Sequence, residues 1–558
     1  MILPESKLPG SRQSVLFCFL ALLMLQTAVM LYFCADKQEY HIDEIYSYIL
    51  SNSYDCDRLS ASKEIKNRWI NGRESLHDFV SVQSDERFAY ARTYYNNTRD
   101  AHPPFYYFLL HTVCSLFPDQ FSKWFGLSIN LMCFILTQFL LFLISRRLFN
   151  GLIWQLLPVT MYGFSPIAVD IVLYIRMYSL LALFTLLLFY IHLNMSEGKL
   201  RFPYLWCFAV TFFGMFTQYF FAVSAFYLAL ISCVVLWRKK KVRELLCYSA
   251  SMVSGVLLVL LIYPAAFRQA TGSSTNNVGH EVSSNFLNFA MLPERLSEYR
   301  EQFDQRLVRN WKWRAFYMAV VCAVILLSVI CRDRSGAGRK KMSWKKTLDS
   351  ARNAFRSKKG AYISVTAAVA ALTIVTVAHL SGSFSYLRYL YHLMPVVFFL
   401  FAAICYCFST LFPVNRQVLS AGLMVFALIV GANTVIKENC EYLFEARRYE
   451  VERAVGFLDH KPLILLDKQT NHVLTGNYTL LSSAELLYIS DTDQIDLDEL
   501  TRDVDASDGV AVLVLNTTEW SEGYDGDKSL QTIVDSSTVF HNFEKYGEEL
   551  YSTLYWVH

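Results

Sequence analysis

Charge is scarce in this chain. Asp, Glu, Lys and Arg supply only 18% of its 558 residues, hydrophobic residues 54% and aromatic ones 15%, and the mean hydropathy is +0.28. A composition so poor in charge excludes an ordinary soluble protein and places the chain in a lipid bilayer. The 13 cysteines include no CxxC pair, which removes zinc-ribbon and thioredoxin-type chemistry. Most of them, including Cys18, Cys133, Cys233, Cys322 and Cys405, lie in apolar runs as small hydrophobes, and Cys405 and Cys407 read as core. Only Cys56 and Cys440 stand in polar regions, which leaves one disulfide open to them. Internal repeats and low-complexity tracts are also missing. The first apolar run, VLFCFLALLMLQTAVMLYFCA, lacks a small-x-small cleavage site and exceeds the apolar core of a secretory signal. It reads as an uncleaved first span with the amino terminus inside.

What is present is a series of such runs. They recur at roughly 152–173, 177–194, 204–217, 219–237, 245–264, 313–331, 361–380, 386–412 and 418–436. An earlier run, from Asp100 to Phe149, is broken between Pro118 and Lys123 and is read as a re-entrant segment followed by one crossing, because Arg146 and Arg147 at its end favour the cytoplasm. The total is about eleven spans, or thirteen if ambiguous stretches divide.

The basic loops set the expected orientation. RKKKVR at 238–243 holds five cations, and 332–360 carries eleven Lys and Arg against Asp333 and Asp349, so both are expected on the cytoplasmic side as topology signals and not as nucleic-acid sites. That arrangement places the polar loop 36–103, the Tyr174–Tyr178 turn, the loop 265–312 and everything after 437 outside. The long loop 36–103, interleaved with aromatics, is expected to hold short helices lying on the membrane surface. Residues 437–558 carry 24 acidic against 9 basic side chains, a net of −15. Within them KPLILLD and GVAVLVLN read as buried strands and the stretch around 440–458 as helix, giving a small soluble α/β domain beside a membrane domain at 1–436.

An ionisable residue at a membrane is costly, so ionisable residues gathered at one face suggest a function. Four stretches qualify. HIDEIYSYILSNS (41–53) places Asp43 and Glu44 just after the first span. DAHPPFYYFLLH (100–111) places Asp100 and His102 before two prolines that hold the chain extended at the membrane. YIRMYSLL places Arg176, with Tyr178 beside it, inside an otherwise apolar sequence, where a snorkelling arginine at a helix end is the equal alternative. SYLRYLYHLMP places Arg388 and His392 four apart, on one face if that segment is an α-helix, and arginine suits a phosphate.

The order of these four stretches resembles the family 39 type of membrane glycosyltransferases with the GT-C fold, related to protein mannosyltransferases and lipid A aminoarabinose transferases. The resemblance covers roughly residues 13–436 and is best in the first 200. It implies a mainly α, polytopic bacterial membrane protein that moves a sugar from a polyprenyl-phosphate carrier to a cell-envelope acceptor on the extracytoplasmic side. It also implies that Asp43 is the catalytic base, with Glu44 and Asp100 as companion acids, and that His102, Arg176, Tyr178, Gln218, Arg388 and His392 bind substrate. Gln218, in TQYFF, stands where relatives often have lysine, and His102 replaces a lysine found in relatives that bind a metal nearby. A divalent ion held by Asp43, Asp100 and His102 is therefore left open. The sequons at Asn96, Asn477 and Asn516 read as chance in a bacterial chain. Two readings from other classes stand beside the enzyme: a flippase for lipid-linked glycans, and a non-catalytic envelope scaffold working through the acidic region.

Overall fold

The computed structural model describes residues 12–56, 65–271, 288–308, 311–333, 357–381, 386–412, 414–437, 440–444, 452–466, 476–490, 492, 495–502, 504–506, 508–515, 526–548 and 552–558. The sequon at Asn516 and most of the basic loop 332–360 lie outside the described residues, as does part of the helix expected at 440–458.

Apolar composition becomes helix because a backbone in lipid must satisfy its own polar groups. Among the described residues nine helices are long and apolar enough to cross a membrane. The first, α1 (Arg12–Asp36), has 25 residues and spans about 37 Å at 1.5 Å per residue. After a five-residue link, 37–41, comes α2 (Ile42–Asn52), short and polar on one side. Next, α3 (Phe105–Leu116) has 12 residues and reaches only about 18 Å, short of the hydrocarbon thickness, whereas α4 (Lys123–Leu148) is a full span. The apolar run at 152–173 bends by 54° between α5 (Leu152–Gly163) and α6 (Pro166–Leu173). Pro166 starts the second helix, where its missing N–H costs nothing, and Ser165 caps it by accepting from the Ala168 N–H at 3.1 Å. Counting this bent pair as a tenth crossing still leaves the described residues short of the eleven spans expected, because α3 and Pro203–Thr217 are apolar but only 12 and 15 residues long. The TQYFF break falls between Pro203–Thr217 and Phe221–Arg238. Large apolar side chains such as Phe17 and Leu261 are 74% and 77% exposed, as helices that face lipid require.

The rest of the frame is α7 (Tyr178–Glu197), α8 (Leu292–Val308), a 3-10 helix at Leu387–Leu393 and α9 (Met394–Leu411). In the 36–103 loop the expected short helices appear at Gly72–Val80 and Tyr90–Thr98.

Beyond the last span the chain builds a six-stranded sheet in the order β1-β3-β2-β4-β6-β5. The expected strands are there: β2 is Pro462–Leu466 and β4 is Val510–Leu515, and together with β3 (Leu486–Ser490) they run parallel. All five residues of β2 are buried, as befits a central parallel strand covered on both faces. β5 (Phe543–Glu548) and β6 (Ser552–Val557) close one edge antiparallel. The other edge is β1 (Trp69–Ile70), donated by the loop between the first two apolar segments. The Trp69 indole N–H also donates to the Leu500 carbonyl at 3.0 Å. The sheet is thus bolted to the amino-terminal loop. Cys56 and Cys440 are not bridged; the Cys56 thiol donates to the Asn96 carbonyl at 3.8 Å.

Candidate functional site

The site is built on the first turn of α2. His41 caps this helix: its Nδ1 accepts from the Asp43 N–H at 3.1 Å, and Glu44 Oε2 reaches back to accept from the His41 N–H at 2.6 Å. Successive residues of a helix point about 100° apart, and here that separates the two carboxylates completely. Glu44 turns inward and is 0% exposed. Its Oε2 pairs with Lys37 Nζ at 3.0 Å and its Oε1 accepts from the Ile175 N–H at 2.7 Å. Both Glu44 oxygens are thus held by protein partners, and the carboxylate faces away from the cluster that Asp43 enters. Burial raises its carboxyl above the ordinary value, with Lys37 and the two amides opposing.

Asp43 turns the other way, into a cluster from three distant segments. Its Oδ2 lies 3.2 Å from Arg388 Nη1, and its Oδ1 lies 3.9 Å from Arg176 Nη2. The Tyr174 hydroxyl donates to Oδ2 at 2.5 Å and itself accepts from Arg388 Nη1 at 3.2 Å. Arg176 also donates to the Tyr107 hydroxyl at 3.0 Å, and Arg388 lies over the ring of Tyr386. The Nε atoms of both arginines are buried without a hydrogen-bond partner. Tyr178 stacks on Tyr174 with centroids 5.7 Å apart. Burial alone would raise the Asp43 carboxyl, but Arg176, then Arg388, then His41 and the Tyr174 hydroxyl hold it well below the usual carboxylate range. The cluster therefore offers one ionised oxygen acceptor and two guanidiniums carrying more positive charge than Asp43 cancels.

Asp100 and His102 pair with each other, Nδ1 to Oδ2 at 2.7 Å. Burial would raise Asp100, yet His102 and, more weakly, Arg176 bring it below its ordinary value, so Arg176 acts on both acids. Gln218 is the C-cap of Pro203–Thr217, its backbone N–H donating to the Gly214 carbonyl at 3.1 Å, and its Oε1 accepts from the Tyr219 N–H. Tyr219 in turn donates to Gln269 Oε1 at 2.5 Å, and Gln269 donates to the Asp100 carbonyl at 2.6 Å. Gln218 is thus linked to the Asp100 loop through two further residues.

His392 departs from the expectation. Residues Leu387–Leu393 form a 3-10 helix, in which residues four apart are rotated by about 120° and do not share a face. His392 points into the bundle, 0% exposed, with Nδ1 on the Tyr389 carbonyl at 3.1 Å. The metal set fails on donor geometry: among the described residues no three His, Cys, Asp or Glu side chains converge on a point where an ion could sit. Asp43 is committed to arginines, and Asp100 to His102.

No protein family matches the chain, and no curated protein does. Two solved structures of ArnT from Cupriavidus metallidurans, one bound to undecaprenyl phosphate and one in the apo state, align over 98% of each chain at a TM-score of 0.49, with 10% and 11% identity. The site is read from its own side chains.

Four contributors escape a reading of the sequence. Tyr174 and Tyr442 look like two of 34 tyrosines, Lys37 looks like a flanking charge, and Asp170 is a single acid within an apolar run. Of these only Asp170 carries a usable signal, since an acid at that depth needs a partner. It accepts from the Glu441 N–H at 2.7 Å and lies 3.9 Å from Arg306 Nε on α8.

His41 gives the site an acid limit. Burial lowers its pKa to about 4, with Arg388, Arg176 and Lys37 assisting and Asp43 opposing, so it is neutral at pH 7. The unfolded chain takes up a proton at about 6.5 and the folded chain resists it, so stability falls as pH drops from about 6.5 towards 4, by roughly 3 kcal/mol at most. His41→Asn keeps a cap acceptor but cannot titrate. Thermal melting of the purified protein across that window should show a clearly shallower acid loss in His41→Asn than in wild type.

Proposed function

We propose that this chain is a membrane glycosyltransferase that takes a monosaccharide from a polyprenyl-phosphate donor and places it on a cell-envelope acceptor at the extracytoplasmic face. In this reading residues 1–436 are the catalytic membrane domain and 437–558 an extracytoplasmic acidic domain. The observation that carries it is the Asp43–Arg176–Arg388 cluster: a carboxylate beside two guanidiniums with unpaired Nε atoms, at the ends of apolar helices. A lipid-linked sugar phosphate needs an apolar groove for its chain, cations for its phosphate and an acceptor for a hydroxyl proton. The four-stretch resemblance read from the sequence points the same way.

The chemistry follows from these residues. The acceptor oxygen attacks the anomeric carbon, the carbon–oxygen bond to phosphate breaks, and the electron pair leaves on the phosphate oxygen. Arg176 and Arg388 stabilise the charge that develops there. The acceptor proton passes to Asp43. Held by two arginines, Asp43 is a weak base; a phosphate bound between the guanidiniums draws them away and returns basicity to Asp43 when it is needed. A transporter would place such charges along the middle of broken helices, whereas Asp43, Arg176 and Arg388 lie at helix ends.

The test is transfer from a synthetic polyprenyl-phosphate sugar by the purified protein to an envelope extract, read by mass spectrometry. Arg388→Ala should raise the donor KM by about tenfold or more, since a charge-assisted contact contributes about 1.5–3 kcal/mol. Transfer that is unaffected by Arg388→Ala, or absent from wild type with a range of donor sugars, would overturn this reading.

A further inference from the structure

Tyr442 has its backbone held from both sides by buried charge. Asp170 Oδ1 accepts from the N–H groups of Glu441 at 2.7 Å and of Tyr442 at 3.4 Å, and Lys37 Nζ donates to the Tyr442 carbonyl at 2.8 Å. Both clamping side chains are essentially inaccessible, Asp170 at 0% and Lys37 at 1% exposure. Each is compensated, Asp170 by Arg306, which also pairs with Glu441, and Lys37 by Glu44. Burying the Lys37–Glu44 pair and the Asp170 carboxylate, whose partner Arg306 stays partly exposed, costs desolvation that a short link between a span and a sheet does not require. What they fix is the ring. Tyr442 lies flat on Tyr174, centroids 4.0 Å apart and planes 11° from parallel, and His41 meets both rings edge-on. Tyr174 is the residue whose hydroxyl donates to Asp43 and accepts from Arg388.

We infer that the strap Cys440–Phe444 is a positioning element of the site: Asp170 and Lys37 hold the Tyr442 backbone, the Tyr442 ring fixes the plane of Tyr174, and Tyr174 sets where Asp43 and Arg388 sit. Tyr442 touches no reacting atom in this scheme; it acts through Tyr174. The strap follows the last span, Arg416–Lys437, and precedes β2, so the same five residues that orient the acid also tether the sheet. The consequence for catalysis rests on the transferase reading, but the positioning itself does not.

Two readouts separate these. Hydrogen exchange of the full-length protein in detergent, followed by mass spectrometry, reports on peptides covering 41–52 and 174–181. Tyr442→Leu removes the stacked ring, and exchange at both peptides should rise severalfold. Tyr442→Phe keeps the ring and should match wild type. In the transfer assay Tyr442→Leu should lower kcat/KM on the order of tenfold or more, through Asp43 and Arg388 together, and Tyr442→Phe should restore it. If Tyr442→Leu leaves exchange at both peptides unchanged, or leaves both kcat and donor KM at wild-type values in an active enzyme, the strap does not position the site and the inference is overturned. Inactivity of wild type together with the expected exchange pattern would sink the transferase reading and uphold the strap.

Discussion

Asp43→Asn should lower sugar transfer by about 10²–10⁴-fold while leaving donor binding intact, because removal of a positioned base costs about that much and the two arginines remain. Asparagine keeps an oxygen for the Tyr174 hydroxyl, so the pocket keeps its shape. The loss should fall on kcat, with donor KM unchanged or lower, since Arg176 and Arg388 no longer divide their charge between Asp43 and the phosphate. The acid side of the pH profile adds a second check. A carboxyl held below its usual range stays ionised throughout pH 5–7, so wild-type kcat/KM should show no acid limb from Asp43 in that interval. Activity of Asp43→Asn within tenfold of wild type would remove Asp43 from the base role.

The neighbouring acid should behave in the opposite way. Glu44→Gln leaves Lys37 buried without a counter-charge and should destabilise the protein by about 3–5 kcal/mol, a loss read as poor accumulation and a much lower melting temperature. Adding Lys37→Met removes the stranded charge, and the double variant should recover a large part of that loss. A catalytic Glu44 would give another pattern, a well-folded Glu44→Gln protein with little activity. Two carboxylates adjacent in sequence thus separate into a rate effect and a stability effect.

The amino-acid sequence alone carries a good deal of this organisation. Apolar runs give the helices, because the distribution of charge decides where a backbone can leave lipid, and the parallel strands at Pro462–Leu466 and Val510–Leu515 announce themselves as short apolar runs between polar segments. Asp43, Arg176 and Arg388 are legible for the same reason: each interrupts or borders an apolar stretch where a charge needs a purpose. Orientation within a turn is less legible. Glu44 and Asp43 differ only by one step of helix, and the choice between them was made by Lys37, seven positions upstream and buried. His392 was misplaced because the tyrosine-rich segment winds as a 3-10 helix, and nothing in its pattern separates that from α. Partners such as Tyr442 are hidden more deeply, since aromatic stacking leaves no periodic trace in a chain with 34 tyrosines.

The edge strand at Trp69–Ile70 has a consequence for how the protein is made. Its partner, Leu487–Tyr488, emerges from the ribosome more than 400 residues later, on the order of half a minute at ordinary elongation rates. Until then the loop that carries α2 has an unpaired strand, although the Tyr442 carbonyl that completes the Glu44–Lys37 network arrives earlier. A chain stopped before β3 lacks the partner for this edge strand, so the sheet closes on the loop that carries α2 only as the last hundred residues arrive.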